Sequence, residues 1–179
     1  DKTNPKYQTE LQYYIDLSKN NQTDIKLTQK LDNKKQTDKI IDMNDYDKLL
    51  SIVKQDNKLD MEYLQFLMLK YLPIRNELST LIFITNTDYK KLDKETKQQH
   101  NYIVKMSKYY KVIRNIYKTS KKYGKKEDPL KQKDLKKVLN EYIKSHNIQS
   151  NSPLFIYKDK QQTQNDLSQR LSYLSNKFI

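Results

Sequence analysis

The 179-residue sequence contains no cysteine, no tryptophan and no alanine, and it has one glycine, four prolines and two histidines. Without Cys there can be no disulfide, no thiolate zinc site and no thiol nucleophile, and two His alone make a poor set of zinc ligands. The lone Gly124 excludes a glycine-rich phosphate loop, which needs several such residues close together. No apolar run approaches the ~20 residues that span a bilayer, and the first residues are polar where a signal peptide needs an apolar stretch. The expectation is therefore a soluble, intracellular chain of a nucleus, cytoplasm or virion, with no membrane partner, metal or cofactor. The first residue is Asp1 rather than Met, which suggests a fragment of something longer.

Lysine dominates what is present. There are 32 Lys against 3 Arg, with 15 Tyr, and the formal net charge is +13. The residue types that are missing use G+C-rich codons and the abundant ones A+T-rich codons, which points to an AT-rich genome. The charge is unevenly spread: residues 1–88 carry 13 basic and 14 acidic side chains, whereas residues 89–179 carry 22 and 8. Within residues 105–137 there are 13 basic and 3 acidic side chains, more than solubility needs and enough to draw in a polyanion. Codon bias alone would not spare the first half, so the basic half reads as a nucleic-acid-facing surface.

Helical spacing appears in residues 7–19 through Leu11, Tyr14 and Ile15, and the polar stretch Asn20 to Thr37 reads as a linker or arm. Tyr46, Leu49, Leu50 and Val53 predict a helix with Asn44 or Asp45 as its cap, and Leu59 to Tyr71 is apolar nearly all round, as a buried central helix should be. Pro73 ends that helix, and a short one is predicted from Arg75 with Leu78, Leu81 and Ile82 facing inward. Residues 84–100 read as a polar connection. Tyr102, Val104 and Met106 alternate, Val112 to Tyr117 is rich in strand formers, and Ser107 to Tyr109 supplies a turn, so residues 102–124 are expected to form a basic hairpin. Gly124 then turns the chain into a third extended segment. Helices follow at residues 131–145 and 163–178, separated by a short apolar run at Pro153 to Tyr157. The fold class expected is mainly α with a small antiparallel hairpin or three-stranded sheet, divided into an arm at 1–37 and a core at 38–179.

Two motifs stand in this order. The first is Leu72-Pro73-Ile74-Arg75-Asn76-Glu77-Leu78, the second Tyr117-Lys118-Thr119-Ser120-Lys121-Lys122-Tyr123-Gly124, and Ser152-Pro153-Leu154-Phe155 follows before the last helix. Together they resemble the catalytic domain of the tyrosine recombinases, or phage integrase-like proteins. The resemblance implies that Arg75 clamps the scissile phosphate with Glu77 supporting it, and that Lys118 on a hairpin donates a proton to the departing 5′ hydroxyl. These residue types suit the roles, since a guanidinium fork matches a phosphoryl transition state and a mobile ammonium can serve as an acid. Lys105, Lys108, Lys111, Arg114, Lys121, Lys122, Lys125 and Lys126 are then the expected contacts to double-stranded DNA.

The sequence departs from the family in two places. Pro73-Ile74 stands where Gly normally precedes the first-box Arg, and the 179 residues contain neither the His-x-x-Arg second box nor a nucleophilic Tyr behind it. Tyr173 falls on the last amphipathic stretch and reads as structural. The family needs that Tyr to form its phosphotyrosyl link, so strand cleavage and joining are expected only if a C-terminal portion exists. A non-catalytic packaging or virion protein, holding DNA or an acidic protein with its basic half, stays open beside this reading. So does an interaction role for the arm, through a homo-oligomer or a protein partner. Asp88, Glu95 and Lys97 have the spacing of a metal-dependent nuclease core, but their flanks lack strand alternation.

Overall fold

The computed structural model describes residues 42–178 apart from positions 73 and 75; the predicted arm, its helix at 7–19, Pro73 and Arg75 lie outside the described residues. Contacts divide the chain into Asp1–Met43 and Asn44–Ile179.

Helix α1, Met43–Gln55, buries Leu49, Leu50 and Val53, the stripe that the three-and-four spacing predicts. A 3-10 turn, Asn57–Leu59, follows, in which the Asp56 carboxylate accepts the Lys58 backbone N–H at 2.9 Å. Helix α2, Asp60–Tyr71, buries Glu62, Leu64, Gln65, Phe66, Leu67 and Met68, so it is the central helix that its apolar circumference implies.

Beyond it the chain forms a 3-10 helix, Asn76–Thr80, and then strand β1, Leu81–Thr85, instead of one short helix carrying Leu78, Leu81 and Ile82. The run Leu-Ile-Phe-Ile-Thr is buried on both faces and therefore shows no alternation to announce it. The segment read as a polar connection also holds two helices, α3 at Asn86–Lys91 and α4 at Lys94–Gln99. Each is started by a short side chain: Thr85 and Asp93 accept the backbone N–H groups of Asp88 and Thr96. They form the crossover that lets β2, Asn101–Lys105, pair parallel to β1.

Strand β2 turns at Met106 to Tyr109 into β3, Tyr110–Arg114, and the antiparallel register Tyr102↔Ile113, Ile103↔Val112 makes the expected hairpin. Its second strand ends at Arg114 and not Tyr117, because the backbone N–H groups of Asn115 and Ile116 are taken by the Asn101 side chain at 2.8 and 2.9 Å. A connector, residues 115–125, contains the one-turn helix α5, Ser120–Tyr123, and leads into β4, Lys126–Leu130, antiparallel to β3. Helix α6, Lys133–Ser145, closes with a Schellman motif in which the Ile148 N–H reaches the Ile143 carbonyl and Asn147 takes φ +50°. Short strand β5, Ser152–Pro153, completes the five-stranded sheet beside β1, in the order β4-β3-β2-β1-β5. Strands β6, Ile156–Tyr157, and β7, Lys160–Gln161, form a separate two-residue hairpin whose turn residues Lys158 and Asp159 both have positive φ. Helix α7, Gln164–Phe178, ends the described chain. It opens with reciprocal bonds, Thr163 N–H to the Asp166 carboxylate and Asp166 N–H to the Thr163 hydroxyl.

The two faces of the sheet have different cores. Leu81, Phe83, Ile103, Tyr110, Val112 and Leu130 join the large cluster with α1, α2, α6 and α7, while Ile84, Tyr102, Val104 and Ile113 form a smaller one covered by Tyr89 and Leu92. Tyrosine supplies bulk that the composition otherwise lacks, and its hydroxyls are bonded: Tyr46 to the Phe66 carbonyl, Tyr102 to the Thr96 carbonyl, Tyr110 to Asn140 and Tyr71 to Asp134. Burial pushes the phenols of Tyr46 and Tyr110 up to about 12, and the Asp134 carboxylate does the same for Tyr71. Raised phenol pKa values stabilise the folded state in full below the unfolded value of 10.0, and this is lost as pH climbs through about 12. The expected outcome is a cooperative alkaline unfolding between these limits, with tyrosinate absorbance and helical dichroism changing together. Tyr46, Tyr71 and Tyr110 titrating near pH 10 with the helices intact would contradict it.

Candidate nucleic-acid interface

The site is built around the β3–β4 connector, which holds the second motif. Asn101, 3% exposed at the start of β2, fixes its base. Besides accepting the two N–H groups above, its Nδ2 donates to the Ile116 carbonyl at 2.8 Å and to the Thr80 hydroxyl at 3.1 Å, which ties the connector to the first-motif 3-10 helix. The Asn115 side chain donates to the carbonyls of Lys97 and His100, holding the end of α4 to the same point. Further out, the Tyr117 hydroxyl donates to the Gly124 carbonyl at 2.7 Å and shuts the loop on itself. Gly124 has φ +66° and ψ −160°, a region open essentially to glycine alone, and an added Cβ would touch nothing within 4 Å. Backbone conformation, and not space, claims the chain's single glycine.

Glu77, Asn76, Ile116, Tyr117, Lys118 and Gln164 line one cavity of about 530 Å³. The 3-10 helix, the connector and the N-terminus of α7 thus bring the two motifs together, and α7 packs against the 3-10 helix. Arg75 lies outside the described residues, immediately before Asn76 in sequence. Lys118 is exposed on the β3–β4 connector and not on the β2–β3 turn. Ile116, Gln164 and Asn101 carried no sequence signal for this site: a lone Ile, Gln or Asn matches no chemical motif.

The expected DNA-contacting residues divide into three groups. Lys118, Lys121, Lys122 and Lys126 stand exposed on and beside the connector, and none is in an ion pair with a described residue. Lys122 lies over the Tyr123 ring at 5.3 Å, and Lys126 over the rings of Tyr117 and Tyr123 at 5.2 and 5.6 Å, so cations and aromatic faces alternate. Lys105 and Lys108 are exposed at the opposite end of the β2–β3 hairpin, ~13 Å along the strand. Arg114 and Lys111 of β3, and Lys125 at the end of the connector, are paired with acidic side chains of β4. The Arg114 guanidinium, 8% exposed, donates to Asp128 at 3.0 and 2.7 Å, while Lys111 and Lys125 share Glu127 at 2.9 and 2.6 Å. These bonds hold the Glu127 carboxyl below and the Lys125 ammonium above their usual values. Arg114 therefore ties β3 to β4.

The nuclease-like trio does not assemble on strands. Asp88 belongs to α3, where Ser150, Thr85 and Lys91 hold its carboxyl down to about 2, and Glu95 and Lys97 belong to α4. Among the described residues no cluster of His, Asp or Glu could hold a metal ion. His146 pairs with Asp60 at 2.7 Å, and Tyr173, read above as structural, is 55% exposed with Arg170 over its ring. Among the described residues no helix is long and apolar enough to cross a membrane. No protein-family model, curated protein or solved structure matches the chain.

Proposed function

We propose that this chain is a duplex-DNA-binding core of the tyrosine-recombinase type, which grips a backbone phosphate in the cavity lined by Glu77 and Lys118. The observation that carries the reading is that residues of two motifs, far apart in sequence, line one cavity beneath a connector rich in exposed lysine. In this reading Lys118 sets a mobile ammonium against the gripped phosphate, Arg75 spans two of its oxygens, and Glu77 positions Arg75. Lys121, Lys122 and Lys126 hold neighbouring phosphates, with Tyr123 offering an exposed ring between them. The nucleophilic Tyr and the second box are not in the sequence, so the function proposed for these residues is the grip and not the cut.

Salt dependence tests it. If about five lysines reach phosphates, log affinity for duplex DNA should fall with log salt at a slope of about −4 to −5, and a flat response would sink the reading. In a protein that also carries a second box, Arg75→Ala should abolish cleavage and leave duplex affinity mostly intact. Loss of both together would instead assign Arg75 to folding or docking.

A further inference from the structure

Beside the phosphate cavity, and sharing Ile116 and Gln164 with it, lies a second groove of about 420 Å³. Its lining is of a different kind. Among the described residues no Lys, Arg, Asp or Glu lines it; the lining is Gln99, Gln161, Gln162, Gln164, His100 and the half-exposed Ile116, with Thr80, Asn101 and Thr163 completing it. Asn101 has spent its amide on four hydrogen bonds. Gln162, 1% exposed, is paired with the fully buried Gln65: its Oε1 accepts from Gln65 Nε2 at 2.6 Å, while its Nε2 and the Gln65 Oε1 have no partner among the described residues. The groove is also held from rigid elements, since Asn115 pins the α4–β2 junction that carries Gln99 and His100, and the Thr163–Asp166 bonds fix the start of α7 at Gln164.

A neutral carboxamide presents a donor and an acceptor side by side, which complements the edge of a base, whereas a phosphate is better met by the cations next door. We infer that this groove reads the base edge of a nucleotide adjoining the gripped phosphate, with Gln99, His100 and Gln164 determining sequence preference. The inference rests on the phosphate-grip reading and adds specificity to it. Lysines of the connector would set affinity and the carboxamides would set which sequence is held.

The test is selection of duplexes from a randomised library by the intact chain, by Gln99→Ala/His100→Ala, whose positions line the second groove and not the phosphate cavity, and by Gln164→Glu, with helical dichroism as the folding control. The intact chain should prefer a particular base at one or two adjacent positions. The double variant should lose about tenfold or more of that discrimination while its affinity for the bulk library and its salt slope stay unchanged. Gln164→Glu, which can only accept, should move the preference toward cytosine, whose exocyclic amine donates. Duplex binding without base preference, or a preference that survives both variants, would overturn the inference alone. Absence of duplex binding by the intact chain would overturn the grip reading and this inference with it.

Discussion

Replacing Lys118, Lys121, Lys122 and Lys126 together by Gln is expected to weaken duplex DNA binding by about 100- to 1,000-fold near 0.1 M salt and to flatten the log–log salt slope by about 3 to 4. Each lysine that meets a phosphate releases roughly one counterion, so the slope counts contacts directly. The four are exposed and unpaired with described residues, and the side-chain contacts they make with described residues include the stacking of Lys122 and Lys126 on Tyr117 and Tyr123. Unfolding should therefore move by no more than about 1 kcal/mol. Fluorescence anisotropy with a labelled duplex across a salt series measures both quantities. An affinity and slope equal to those of the unmodified chain would remove the connector from the interface. The same substitution at Lys105 and Lys108, a hairpin length away, should cost far less if the cavity is where the backbone is held.

Asn101→Ala should be the most destabilising single polar substitution at the site, on the order of 3 to 5 kcal/mol. It strands the backbone N–H groups of Asn115 and Ile116 and the carbonyl of Ile116, all met by one 3%-exposed side chain. A buried group left unmet costs about 1–3 kcal/mol, and these three, which are part-buried, are each expected near the lower end. With a urea slope of ~2 kcal/mol/M, the unfolding midpoint should fall by about 2 M. Hydrogen exchange should quicken first across residues 115–125, because Asn101 also tethers that connector to Thr80. An unchanged midpoint would mean that the connector is held by other bonds. The two variants separate the parts of the site: the lysine variant should fold normally and bind poorly, and the Asn101 variant should lose both.

Helices α1, α2, α6 and α7 were legible because each carries an apolar stripe at helical spacing that the core takes up: Leu49, Leu50 and Val53 in α1, Leu135, Leu139 and Tyr142 in α6. The β2–β3 hairpin was legible in the alternation of Tyr102 and Val104 about a polar turn. Strand β1 was not, since Leu81 to Thr85 continues the apolar spacing of Leu78 and is buried on both faces. Helices α3 and α4 stayed hidden because their only apolar contacts, Tyr89 and Leu92, cover the small second core and leave the rest of each helix wet.

By itself the sequence determined the charge asymmetry, the order of its principal helices and the two motifs, because net charge and periodicity are sums over neighbours along the chain. It also determined that Gly124 alone could take the turn that ends α5, since no other residue enters that backbone region cheaply. Which basic side chains face outward was decided by tertiary structure: Arg114 turned inward to Asp128 while Lys118, Lys121, Lys122 and Lys126 stayed in water. The meeting of Glu77, Lys118 and Gln164 around one cavity was decided the same way. Strand pairing and the bonds of Asn101 bring those segments together, and hydrogen bonds between distant residues leave no period in a sequence.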